Sequence, residues 1–339
     1  MANDIGGKKM NPRENYLAAI LCQPHDWVPS FIADCAVAGF GAFPGPWIEK
    51  GQLGGGYDGF GVRWITPASG SGAPIPAPNE FILDDVTKWE DIVKFPDLDG
   101  FDWAADAAQW LGETDRNIQA VDFGLANGPF ERMAALMGFE NMLLSFAEEP
   151  EASGALLSAI TDYKLRFIER VATYYKPDMI TNYDDIASER APFISPRTYR
   201  ELIKPCHARM YKAIEELGVI PVQHTCGKAD PYIEDYIEIG VKCWTSVQPT
   251  NDIEGILEKY GDRLSIMGGY DTNGAPGQTK DTEVIRAEVR RCIDAYGKYD
   301  GYIFFGFLLA NSLNPQDQLS LLMPMVEESV VYAHRAAGK

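Results

Sequence analysis

From Asn117 to the C-terminus the chain alternates short apolar runs with helical patterns about six times, and this alternation is its tightest fold constraint. The predicted strands are 117–123, 178–183, 219–223, 243–247, 264–267 and 302–305. Helical patterns cover 130–136, 141–147, 149–175, 195–217, 230–239, 252–260, 281–296 and 315–336. Strands joined by helical crossovers run parallel. Repeat units of roughly thirty to forty residues with polar groups at nearly every strand end predict a closed barrel over an open sheet. No G-x-G-x-x-G lies between a strand and a helix, which weighs against a dinucleotide fold. The expected architecture is α/β, a TIM (β/α)8 barrel with an N-terminal extension and a Gly/Pro-rich cap. It forms one domain over 1–339: 1–110 supply N-terminal helices, a first strand and a lid, and 111–339 the regular units.

The strand at 219–223 runs directly into His224-Thr225-Cys226, and Gly227 releases the chain into a loop. In α/β proteins ligands bind at this C-terminal strand end. Side chains at i and i+2 share one face of an extended segment, so His224 and Cys226 can converge on one ion. Nitrogen plus thiolate sulfur suits zinc, although two ligands alone do not complete a site. Spacing alone leaves open a core histidine beside an inert thiol.

The N-terminal part follows different chemistry. Residues 11–23 read as an amphipathic helix capped by Asn11, with Pro12 at its first position. Residues 27–32 read as a strand and 84–94 as a helix. Between them, 40–78 are so dense in Gly and Pro that neither a helix nor a regular sheet is expected. The length suggests a functional lid over the rim. Its aromatics, Trp47, Tyr57, Phe60 and Trp64, either close over an apolar ligand or pin the segment to the body.

A formal net charge of −19 excludes nucleic acid and anionic membrane as expected partners. No apolar run reaches bilayer-spanning length, and residues 1–15 lack a secretory signal's apolar segment. Six scattered cysteines follow no disulfide framework, so a cytoplasmic protein with reduced thiols is expected. Cys206-His207 falls in a helix, where neighbours point apart, and is taken as structural.

A closed barrel would gather Asp122, Asn127, Asn182, Asp184, Asp185, His224, Cys226, Gln248 and Asp271 at its C-terminal rim, beside Phe304, Phe305 and Phe307. Polar groups above an aromatic wall make a small-molecule site. Alternation lets only one of Asp184 and Asp185 face it.

Four segments then carry a resemblance: ANGPFERMAALMGFENMLL, NYDDIASERAPFISPRTYRELIKPCHARMYKAI, HTCGKADPYIEDYIEIGV and IMGGYDT. In this order they resemble the uroporphyrinogen decarboxylase superfamily, whose fold is a TIM barrel. The family's decarboxylases carry an N-terminal R-x-x-G-R that grips substrate carboxylates, and nothing in residues 1–110 matches it. The corrinoid-linked methyltransferases carry H-x-C for zinc, matched by His224-Thr225-Cys226. That branch often adds a cysteine after the last barrel strand, where this chain has Phe304-Phe305-Gly306-Phe307. A carboxylate, Asp184, Asp185 or Glu189, would then take its place.

The resemblance implies a methyltransferase moving methyl from a small donor, such as an aryl methyl ether, to a corrinoid carried by a partner protein. Zinc on His224, Cys226 and Glu189 would act as Lewis acid. Asp184, Asp185 and His224 would be catalytic, and Asn182, Gln248, Asp271, Phe305 and Phe307 would bind substrate. Two alternatives stay open: a cofactor-free decarboxylase, and a barrel that binds a corrinoid or tetrapyrrole without turnover. A homodimer is among the assemblies the resemblance allows.

Overall fold

A computed structural model of the protein describes residues 9–39, 55–67, 74–308 and 315–338. Chain order gives β1 (Cys35–Ala38), three short strands β2 (Gly56–Tyr57), β3 (Arg63–Ile65) and β4 (Ile75–Pro76), then β5 (Ala120–Leu125) and β6 (Met179–Tyr183). It continues with β7 (Ile220–His224), β8 (Cys243–Val247), β9 (Ser265–Gly269) and β10 (Tyr302–Phe305). β1 and β5 to β10 form one parallel sheet in sequential order. Ser30 bridges Phe304 in parallel, and Phe304 N–H donates to the Pro29 carbonyl at 2.9 Å. The stretch before β1 therefore closes the sheet into a TIM barrel against β10.

The strand expected at 27–32 is displaced. Residues 29 and 30 make the closing contact, a helical turn follows over Phe31–Asp34, and the strand proper starts at Cys35. The cause is local: Ser30 N–H donates to the Asp34 carboxylate at 2.8 Å, and Asp34 N–H returns a bond to the Ser30 carbonyl. A short polar side chain that satisfies the backbone this way competes with extension.

Inward residues alternate along each strand, as a pleat requires. Cys35, Ala120, Met179, Val222, Cys243, Met267 and Ile303 fill the barrel, and the helix Pro12–Ile20 plugs one end with Tyr16, Ala19 and Ile20. That helix starts in a capping box. Asn11 Oδ1 accepts from Glu14 N–H at 2.8 Å, and Glu14 Oε2 accepts from Asn11 N–H at 2.9 Å. Asn11→Ala is expected to cost about 1 kcal/mol. An unmoved chemical denaturation midpoint would mean that the plug adds nothing to stability.

The stretch at 40–78 corrects the expectation of no sheet: β2, β3 and β4 pair antiparallel. Buried side chains rather than propensity hold them. The Asp58 carboxylate accepts from Phe60 and Val62 N–H and from Trp64 Nε1, each at 2.9 Å, and pairs with Arg132 at 2.6 Å, all buried. The Arg132 guanidinium lies 4.1 Å from the Phe60 ring centre, and Phe60 packs edge-on against Phe95 and Tyr163. Phe60 and Trp64 are thus anchors that pin the segment to the body. Tyr57 is 70% exposed. Trp47 and the other residues of 40–54 and 68–73 lie outside the described residues.

The long helix expected at 195–217 is continuous but contains a π turn over Tyr199–Ile203. Pro205 lacks the N–H that an α-helix would direct to Glu201, which accounts for the irregular turn. The helix Trp103–Leu111 adds an element that the sequence pattern does not predict. Among the described residues, no helix is long and apolar enough to cross a membrane.

Candidate metal centre

His224 ends β7 with its ring inward, and the chain turns at Gly227. Gly227 has φ +79°, and a Cβ there would sit 2.4 Å from the Ser188 carbonyl oxygen. Only glycine allows so close a turn. Cys226 comes back onto the face of His224, its Sγ 3.5 Å from Nε2. The i, i+2 expectation for this pair therefore holds.

The third member stands two residues beyond the end of β6. The alternation runs Tyr183 inward, Asp184 outward, Asp185 inward. One Asp185 oxygen lies 3.9 Å from His224 Nε2 and accepts from Cys226 N–H at 2.7 Å. Ligand atoms of Asp185, His224 and Cys226 all lie within 4.8 Å of one another. Zinc bonds of ~2.0 Å to nitrogen and ~2.3 Å to sulfur at a tetrahedral angle set these two atoms ~3.5 Å apart. The donor set fits that cation. Burial, then the Asp185 charge, pushes the Cys226 thiol up. A divalent cation reverses that balance, because it holds a coordinating thiol deprotonated. A carboxylate, a thiolate and one neutral imidazole would together neutralise a 2+ charge.

Neighbouring groups fix these ligands. Tyr183 pairs with His224 across the ladder, and its ring lies over the imidazole with centroids 4.2 Å apart. Ser246 Oγ lies 3.3 Å from Cys226 Sγ. Gln248 accepts from Gly227 N–H at 2.8 Å and donates to Thr272 at 3.2 Å, so it staples two rim loops together.

Several expected site residues lie elsewhere. Asp184 is fully buried on the outer face of the barrel. Its carboxylate accepts from Phe130 and Glu131 N–H at the start of the helix Pro129–Met137, and from His207 Nε2 at 2.8 Å. Gly128 is required there, since a Cβ would stand 2.4 Å from Asp184 Cβ. The carboxylate at that helix start is a structural anchor. The Cys206-His207 reading agrees: Cys206 bonds the Leu202 carbonyl, and His207 holds Asp184.

Glu189 is exposed on the hairpin closed by the Ala187–Pro192 bridge, away from the group in which Asp185 joins His224 and Cys226. Asn182 faces outward, buried beneath Tyr211 and Gln223. Asp271 accepts from Gly274 N–H at 2.7 Å and serves a turn. Phe305 points inward, half-buried, edge-on to Phe31 at 5.1 Å. Phe307 is half-buried just beyond β10. Asp122 lies in the middle of β5, inside the barrel, because the strand runs to Leu125 rather than ending at Phe123.

Tyr183 and Ser246 are not among the residues expected from the sequence. Strand alternation gives Tyr183 once Met179 is placed inward; nothing in the local sequence marks Ser246.

The uroporphyrinogen decarboxylase (URO-D) family model matches residues 59–315, more than half of the chain. The chain belongs to this family. The methylated-thiol–coenzyme M methyltransferase of Methanosarcina mazei is 27% identical over 159 residues, 45% of this chain and 41% of that protein. The aligned stretch is thus less than half of that relative's length. A methyltransferase structure from Methanosarcina mazei superposes with a TM-score of 0.68 over 96% of this chain and 100% of that one. Identity there is 15%, so this match speaks for the fold.

Proposed function

We propose that this family member is a methyltransferase that passes methyl between a small methylated donor and a corrinoid on a separate protein. The observation carrying this reading is the convergence of Asp185, His224 and Cys226 at the C-terminal ends of parallel strands. These three side chains would hold zinc, which when bound supplies Lewis acidity to the donor's heteroatom. Three protein ligands with an open fourth position suit a catalytic rather than a structural ion.

The chain's own groups do the positioning. The Cys226 N–H locks one Asp185 oxygen, and the Tyr183 ring fixes the plane of the imidazole. The Gln248 staple holds the turn that carries Cys226. As methyl leaves, the carbon–heteroatom bond breaks and its electron pair stays on the heteroatom. We assign that heteroatom as sulfur, because zinc takes thiolate sulfur as a ligand and would hold a leaving thiolate, and the Methanosarcina mazei relative is named for methylated thiols. All six cysteines are free thiols, which accords with a reducing cytoplasmic setting.

Elemental analysis of the purified protein tests the reading directly. About one zinc per chain is expected, with methyl transfer from a methylated thiol to supplied cob(I)alamin, whose reduced cobalt provides the electron pair of the new bond, exceeding that from an aryl methyl ether. A protein that stays zinc-free after incubation with the metal would favour the decarboxylase-like or binding-only chemistry.

A further inference from the structure

Ser246 has φ +65°, a left-handed conformation uncommon for residues other than glycine. It lies at a break in the ladder between β8 and β9. Thr245 pairs with Met267 and Val247 with the next residue, Gly268, so Ser246 is the extra residue of a bulge. In regular alternation Thr245, which pairs with His224, faces inward, and Ser246 would face the outer helices as Trp244 does. The bulge turns the hydroxyl instead to 3.3 Å from Cys226 Sγ. A strained backbone that aims one hydroxyl at one sulfur is a placed group, and such strain gathers at functional sites.

We propose that Ser246 is a positioning residue for the metal ion: its hydroxyl donates a hydrogen bond to the Cys226 thiolate and limits how much electron density the sulfur gives the cation. This rests on the zinc reading above. A metal-bound thiolate has no proton to give, so the hydroxyl must donate. The bond fixes the sulfur's orientation and leaves the ion a stronger Lewis acid toward the ligand in its open position. Outer-shell partners of this kind act on affinity and electronics without touching the metal.

The test uses the full chain loaded with Co(II), whose sulfur-to-metal charge-transfer band reports the thiolate directly. Ser246→Ala removes the hydroxyl and keeps the strain. Ser246→Gly removes both, and glycine adopts the same φ freely. Both variants are expected to move the band to longer wavelength, since an unbonded thiolate gives up its electrons more easily. Zinc affinity by chelator competition is expected to weaken about 10-fold in each, because the lost orientation of the sulfur outweighs its stronger donation. A wild-type band that neither variant shifts would overturn the role of Ser246 and leave the metal centre standing. Wild-type protein that shows no such band with Co(II) would overturn both.

Discussion

Cys226→Ser is expected to strip the zinc and to lower methyl transfer by about 10³-fold, while the protein still folds. Thiolate supplies the soft, charged bond of the donor set, and a serine hydroxyl stays protonated near neutral pH. With that bond lost, Asp185 and His224 remain, too few to hold a divalent ion tightly. Metal-ion catalysis is worth several kcal/mol, and each 1.4 kcal/mol is about tenfold in rate. The structural cost is smaller. Cys226 is half-buried, and oxygen for sulfur is nearly isosteric, so a loss on the order of 1–2 kcal/mol is expected. The measurements are zinc per chain, a melting curve and transfer to supplied cobalamin. Cys22→Ser, on a thiol remote from the centre, should keep both zinc and activity. A Cys226→Ser protein that loses zinc yet transfers methyl at the wild-type rate would remove the metal from the chemistry.

The alternation that predicted parallel strands also carries the site, but only when the phase of each strand is known. At β7 the phase was readable, because His224 and Cys226 mark their own face. At β6 polar type alone puts forward Asn182, Asp184 and Asp185, and the first two lie outward under the helices. Counting by twos from buried Met179 separates Asp185 from its neighbour Asp184 and adds Tyr183, and these two stand at the centre.

Other features lay beyond local pattern. Arg132 holds the Gly/Pro-rich sheet through Asp58 from 74 residues away, and no propensity scale sees that distance. The bulge at Ser246 arises from pairing with β9, so its own residues give no sign of it. The broken first strand follows from the exchange of bonds between Ser30 and Asp34, an i, i+4 detail that an apolar run conceals.

Asp122→Asn is expected to make the protein more stable above neutral pH, and the gain should vanish in acid. Asp122 is fully buried inside the barrel, where Thr181 Oγ1 donates to its carboxyl at 2.9 Å. Burial outweighs that bond and pushes the carboxyl from 3.8 up to about 7. The sign follows from proton linkage. Between these two values the folded chain holds a proton that the unfolded chain has released. Stability therefore falls as pH rises from about 4 to about 7, and stays lower above. A shift of this size corresponds to roughly 4 kcal/mol for a group with no solvent exposure. Asparagine is uncharged at every pH and its oxygen still accepts from Thr181, so the variant should escape the loss. A shallower fall should survive in the variant, because burial also raises Asp34, to about 6. Chemical denaturation at pH 4.5, 6 and 8 makes the comparison. Wild-type and variant curves that run parallel across this range would show that Asp122 is ionised inside the barrel and stabilised there by its surroundings.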